Sequence, residues 1–148
     1  LMKVMALDVG DNRIGIALSD ELQIIAQGVC TIERTGIKKD SGKILALIKE
    51  NGCSTVVIGL PLRLNGSDSP QTEKVREFRT ALENKLKSNA MPHVGIVYQD
   101  ERFTTSMAEK VLISADLSRN KRKSVIDKQA AVIILQSYLD SISKREPE

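Results

Sequence analysis

The sequence predicts an α/β fold built on one mixed five-stranded sheet, with three antiparallel strands, then two parallel ones, flanked by helices. Three observations predict it. Residues 3–33 hold three strand-like runs separated by breaks too short for a helix. Two further apolar runs, Thr55–Gly59 and Val94–Tyr98, each follow a stretch with helical spacing. No internal repeat, linker or low-complexity tract interrupts residues 1–148, so a single domain is expected.

The first strand is Val4-Met5-Ala6-Leu7-Asp8-Val9, closed by Gly10. So short and apolar a run, bounded by turn residues, reads as a strand buried on both faces. After Gly10-Asp11-Asn12, Ile14, Ile16 and Leu18 alternate with Gly15, Ala17 and Ser19, the period of a second strand. A weaker third strand falls within Ile24 to Ile32. Short connections make these neighbours antiparallel.

Helical spacing begins at Asp40-Ser41, with Ile44, Leu45, Leu47 and Ile48 inward and Asn51-Gly52 as the C-terminal cap. Thr55–Gly59 is the fourth strand, and a loop with Pro61 and Asn65-Gly66 follows it. Ser69-Pro70 opens a long helix, serine as N-cap and proline in the first turn, whose buried stripe is Val75, Phe78, Leu82 and Leu86. Val94–Tyr98 is the fifth strand, with Gln99-Asp100-Glu101-Arg102 at its end. A helix with a Ser106-x-x-Glu109 capping box is expected next, then a basic linker over 116–123. The last helix is expected from near Ser124 to about Ser143, apolar all round between Ala130 and Leu135 and so deep in the molecule. Right-handed crossovers make the later strands parallel to the first. Function in such sheets collects at the carboxyl ends of the parallel strands, where Asp8, Gly59 and Glu101 fall.

Composition narrows the classes of function. The chain has 148 residues, 28% charged, with a net charge of +3. That balance allows nucleic acid as a partner without demanding it. Aromatics are 3% with no Trp, which argues against an RNA reader built on stacking platforms. Cys30 and Cys53 match no zinc spacing and read as free thiols in a reducing compartment. No apolar window is long enough to span a bilayer and no leader pattern opens the chain, so a soluble, unexported protein is expected. A single histidine, His93, allows no Ser/His/Asp triad, and no P-loop or dinucleotide fingerprint occurs.

Three acids stand out: Asp8 ending the first strand, Glu101 ending the last, and Asp127 in the expected first turn of the final helix. An ionised carboxylate at the end of a buried strand needs a partner, and a divalent cation is one. Metal-assisted phosphoryl transfer uses such a set, with Mg²⁺ or Mn²⁺ on oxygen ligands activating a water. Each acid also has a plain account. Asp8 can begin a turn, Glu101 can pair with Arg102 or lie in solvent, and Ser124-x-x-Asp127 is itself a capping box. The basic run Arg119-Asn120-Lys121-Arg122-Lys123 is either a solvated helix start or a phosphate-binding patch acting by counterion release. Arg13 and Arg102 are candidates for contacting the scissile phosphate or holding an acid in place.

Four stretches, in order and spanning nearly the whole chain, resemble one family. They are Leu7 to Ala17; Gly59-Leu60-Pro61-Leu62 with Asn65-Gly66-Ser67; Asp100-Glu101-Arg102-Phe103-Thr104-Thr105; and Ser118 to Lys123 with Ile126-Asp127 and Ala130-Ala131. They look like the motifs of the YqgF family, the Holliday-junction-resolvase-like proteins of bacteria. Phe103 replaces a common Leu, and Asp68-Ser69 stands where Gly is frequent. The resemblance implies a ribonuclease H-like fold and a cytoplasmic nuclease maturing the 5′ end of the 16S ribosomal RNA precursor. It also implies that Asp8, Glu101 and Asp127 are the metal-binding catalytic acids. The expected partners are structured RNA, with a ribosomal precursor particle and branched DNA as further partners, and the protein as monomer or homodimer. Competing readings are a resolvase of four-way DNA junctions, a non-catalytic nucleic-acid-binding module, and an ATP-binding protein. The last is suggested because Asp-x-Gly before a hairpin is also similar to the phosphate loop of actin-like ATPases, which need two such domains.

Overall fold

The computed structural model describes residues 2–102 and 119–143, with side chains from Lys128 onward in the second segment. The elements are β1 (Lys3–Val9), β2 (Arg13–Ser19), β3 (Ala26–Glu33), α1 (Ile37–Asn51), β4 (Cys53–Leu60), α2 (Pro70–Ser88), β5 (Gly95–Asp100) and α3 (Arg119–Ser143). The strands lie in the order β3-β2-β1-β4-β5. β1 pairs antiparallel with β2 and parallel with β4; β3 is antiparallel to β2 and β5 parallel to β4. The mixed sheet, with its antiparallel meander on one side and parallel strands on the other, and the three described helices are those the sequence predicts.

Alternation along the strands sends side chains into two cores. Met5, Leu7, Val9, Ile14, Ile16, Val56 and Ile58 face α1 and α2, where Ile44, Ile48, Phe78 and Leu82 close the layer. Val4, Ala6, Ala17 and Val57 face α3 and pack on Ala131, Ile134, Leu135 and Leu139. The second set is smaller, so α3 lies close over the middle of the sheet. A bulge between the Ile16–Cys30 and Ala17–Gly28 pairs gives β3 one extra residue, Val29, on the sheet edge.

Caps fall where the sequence sets them. Ser69 accepts from the Thr72 N–H, and Thr72 answers from its own side chain, with Pro70 at the first helical position. Gly52 closes α1 in the left-handed region at φ 63°.

Strand ends shift by one or two residues, and two helix starts differ from expectation. α1 begins at Ile37 rather than near Asp40, because the buried Asp40 carboxylate reaches back to the Thr35 and Gly36 N–H groups and supports the turn before it. The expected linker over 116–123 is also corrected, since α3 already includes Arg119 to Lys123. Lys and Arg are good helix formers, and no Gly or Pro interrupts 119–143, so the helix extends ahead of its apolar middle. The helix expected after Ser106, and residues 116–118 of that linker, lie outside the described residues.

Candidate active site

Asp8 sits one residue before the end of β1, half-buried. It continues the alternation of Val4 and Ala6, so it belongs to the α3 face of the sheet. Across β2 its partner is Gly15. On the other side, the Leu7–Ile58 pairing places Gly59 next to it on β4. Glu101 follows β5, and its N–H donates to the Leu60 carbonyl at 3.1 Å, which carries the chain over the end of β4. The Glu101 carboxylate lies against Gly59: a Cβ there would stand 3.0 Å from both Cδ and Oε2 of Glu101 and 2.5 Å from Ile134 Cδ1. Gly59 is therefore a seat for the carboxylate. Adjacent strands are about 5 Å apart, so the two acids share one sheet face on neighbouring positions.

Asp127 is in α3, one turn before Ala131 and two before Ile134, both buried against the sheet. Its side chain lies outside the described ones. With α3 running from Arg119, Asp127 is more than two turns inside the helix, so the capping-box account from Ser124 fails. The backbone of Arg119, Lys121, Arg122 and Lys123 forms the first turns of that helix. Among the described residues, no three His, Cys, Asp or Glu side chains gather as a metal site.

The arginines are placed differently from each other. Arg13 donates through Nε to Glu33 Oε1 at 3.0 Å, its cross-strand partner, so the acid it holds is Glu33. Arg102 is clamped to Asp100. Its guanidinium meets Asp100 at 2.8 Å, while its N–H caps the same carboxylate at 2.9 Å. Arg102 thereby holds the Asp100 carboxyl below the usual range against the opposing push of burial. The sequence did not single out this Arg102–Asp100 pair.

One group went unmarked in the sequence. Arg34 donates to buried Asp40 at 2.7 Å and to the Gly10 carbonyl at 2.8 Å, and lies over the Phe78 ring. It ties the turn after Asp8 to α1 and α2. Burial pushes the Asp40 carboxyl up, but bonds from the Thr35 N–H, the Arg34 side chain and the Gly36 N–H outweigh it and leave the group below its ordinary range. The only sequence signal was an acid just ahead of an apolar periodicity, which reads equally as a helix start.

The family model for RuvX, described as a Holliday junction resolvase, matches residues 2–141. The chain belongs to the RuvX family. This is the family whose four motifs the sequence carries. A relative from Caldanaerobacter subterraneus subsp. tengcongensis, named "Putative pre-16S rRNA nuclease", is 49% identical over 141 residues, covering 95% of this chain and 97% of its own length. One of the same name from Clostridium tetani is 46% identical over 95% of this chain and 98% of its own. Among solved structures, the T. thermophilus RuvC in complex with a Holliday junction aligns over 96% of both chains with TM-score 0.55 and 12% identity. The yeast mitochondrial Holliday junction resolvase Ydc2 aligns at TM-score 0.53 and 8% identity, over 97% of this chain and 82% of its own. At those identities the RuvX chain shares the fold with them, and the fold is the ribonuclease H-like one. Among its described residues no helix is long and apolar enough to cross a membrane.

Proposed function

We propose that this chain is a metal-dependent endonuclease that hydrolyses phosphodiester bonds in structured RNA, with the 5′ end of the 16S ribosomal RNA precursor as its substrate. The observation that carries this reading is the Glu101 carboxylate seated over Gly59, beside Asp8, at the carboxyl ends of parallel strands. The donor set fits a hard divalent cation: both groups are carboxylates, and strand β4 gives up a side chain to make room for one of them. Asp8, Glu101 and Asp127 would hold Mg²⁺ or Mn²⁺. When bound, the ions supply Lewis-acid stabilisation of phosphoryl charge and a water of lowered pKa.

The chain's own residues do the rest. Asp8 is fixed on a strand buried along most of its length, which pre-organises it at no cost during the reaction. Glu101 is fixed by the backbone bond to Leu60 and by its seat on Gly59. The cations of Arg119, Lys121, Arg122 and Lys123, on the first turns of α3, would bind backbone phosphates and make affinity fall with salt. Arg13 and Arg102, paired with Glu33 and Asp100, would orient the rim of the site and place positive charge where phosphate would approach. The names of the relatives support precursor ribosomal RNA as substrate. We read the chain as a single-domain enzyme acting in the bacterial cytoplasm.

The test is cleavage of precursor RNA beside a four-way DNA junction, with and without Mn²⁺. Asp8→Asn should fold normally and cut the RNA at least ~10³-fold more slowly than wild type. Wild-type speed in that variant would end the proposal. The family description favours a second reading, a junction resolvase. That activity needs two active sites facing opposite strands, so a protein that stays monomeric in sedimentation with junction DNA present would exclude it.

A further inference from the structure

The loop between β4 and α2 is built to hold one aliphatic side chain out into solvent beside the site. The Gly66 N–H donates to the Arg63 carbonyl at 2.8 Å, and the Arg63 N–H to the Ser67 carbonyl at 2.9 Å. Gly66 is at φ 87°. This is a three-residue connection: a turn with Leu64 and Asn65 at its centre, closed by a left-handed glycine. Asn65 Oδ1 accepts from both the N–H and the hydroxyl of Ser67. Asp68 pairs with Arg76 of α2 through two bonds at 2.8 and 3.0 Å, which fixes the loop's far end.

Such turns favour polar residues at their tips. Here the tip is Leu64, 79% exposed, the most exposed large apolar residue among those described. A lone surface Leu is ordinary in itself. Leu64 is set apart by its anchor: its carbonyl accepts from Arg102 Nη1 at 3.4 Å, and the same nitrogen packs 3.0 Å from where a Gly66 Cβ would be. Arg102 is the residue after Glu101 and is clamped to Asp100. The tip is thus tied directly to the strand end that bears a proposed catalytic acid. Beside it, Arg63 is exposed and forms no ion pair among the described residues.

From this placement we infer that the Arg63–Leu64 tip is a substrate-selecting contact, in which Leu64 packs against the face of an unstacked base and Arg63 meets the adjacent phosphate. An apolar side chain held rigidly at a nucleic acid partly unstacks the step it enters, at a cost of a few kcal/mol that falls when the base is already unpaired. The tip would therefore favour RNA with unpaired nucleotides at the end of a helix over a continuous duplex. The inference rests on the nuclease reading for the position of the scissile bond, and it names how that same site chooses its substrate.

The experiment uses the full chain carrying Asp8→Asn, so that bound RNA is not cut, and a hairpin RNA with 2-aminopurine at the first unpaired position 5′ of the stem. At saturating protein the emission should rise several-fold. Adding Leu64→Ser should cut that rise by more than half, and Leu64→Phe should keep it. Arg63→Gln should lower the slope of log affinity against log salt by about 0.7. An equal rise with Leu64→Ser, or no rise in its parent, overturns the inference. Cleavage of the same RNA by the wild-type chain with Mn²⁺ keeps the two readings apart. If that RNA is cut while Leu64→Ser gives the full rise, the loop inference alone falls. If the RNA is neither cut nor bound, both fall.

Discussion

Asp40 should be one of the most sensitive single positions in the protein, although it lies far from the sheet's centre. Its side chain is fully buried, while that of Arg34 keeps 21% of its surface in water. The carboxylate takes Arg34 Nε at 2.7 Å, the Thr35 N–H at 3.0 Å and the Gly36 N–H at 3.3 Å. Asp40→Ala strips all of these at once and leaves a mostly buried guanidinium without its anion. Breaking a buried pair from one side costs about 3–5 kcal/mol, and the residual hydration of Arg34 puts this case near 3. For a chain of this size that is a fall in Tm of about 6–12 °C. Urea unfolding at pH 7 should show it as a lower midpoint at unchanged slope. Asp40→Asn keeps the shape but loses the charge, and should cost about 2 kcal/mol. The pH dependence has a definite sign. The folded pKa of Asp40 is depressed, so its contribution is present above the unfolded value of about 3.9 and is lost as pH falls through the folded one. The gap between wild type and Asp40→Asn should therefore close in strong acid. A loss under ~1 kcal/mol for Asp40→Ala, or a gap that does not close, would refute this account of the pair.

Other outcomes follow from the same geometry. Gly59→Ala pushes a methyl against Glu101 and Ile134, so it should lower Mn²⁺-dependent cleavage at least ~10-fold while costing about 1–3 kcal/mol of stability; wild-type turnover would show that Glu101 does not need its seat. Cys53 is buried and its thiol is pushed up to about 11 by burial, so it should resist a disulfide reagent at pH 8 until the protein unfolds; rapid native labelling would contradict the packing. Phe78→Ala empties a site between Arg34 and the core and should cost about 3–5 kcal/mol in urea unfolding.

The sheet was legible because its signals are local. Short breaks forced the β1–β2–β3 meander, and the apolar runs of β4 and β5 marked two more strands, although only β4 is buried along most of its length and β5, at the sheet edge, is half-buried. The stripe Val75, Phe78, Leu82, Leu86 was legible because a period of 3.6 needs no tertiary information. The start of α1 was not, because it depends on Asp40 turning inward to Arg34, and no local pattern distinguishes a buried acid from a solvated one. The start of the last helix was misplaced for the opposite reason: a basic run has good helix propensity, yet its charge reads as a solvated connection. Within the site, Asp8 and Glu101 could be located at strand ends by pattern alone. That Glu101 leans on Gly59, and that Arg102 turns to Asp100, needed the register of β4 against β5.

That register also bears on the weakest of the three proposed acids. An Asp in a helix interior is a poor helix former, and it is normally tolerated near the N-terminus because the helix dipole offsets it. α3 already runs through Arg119, so Asp127 is too far along for that offset. Asp127 is followed at one and two turns by Ala131 and Ile134, and Ile134 is the residue that touches the Gly59 seat. On the proposed reading, in which Asp127 shares a cation with Asp8 and Glu101, Asp127→Asn should leave the fold no less stable without metal, while abolishing the rise in Tm expected when Mn²⁺ is added to the wild-type chain.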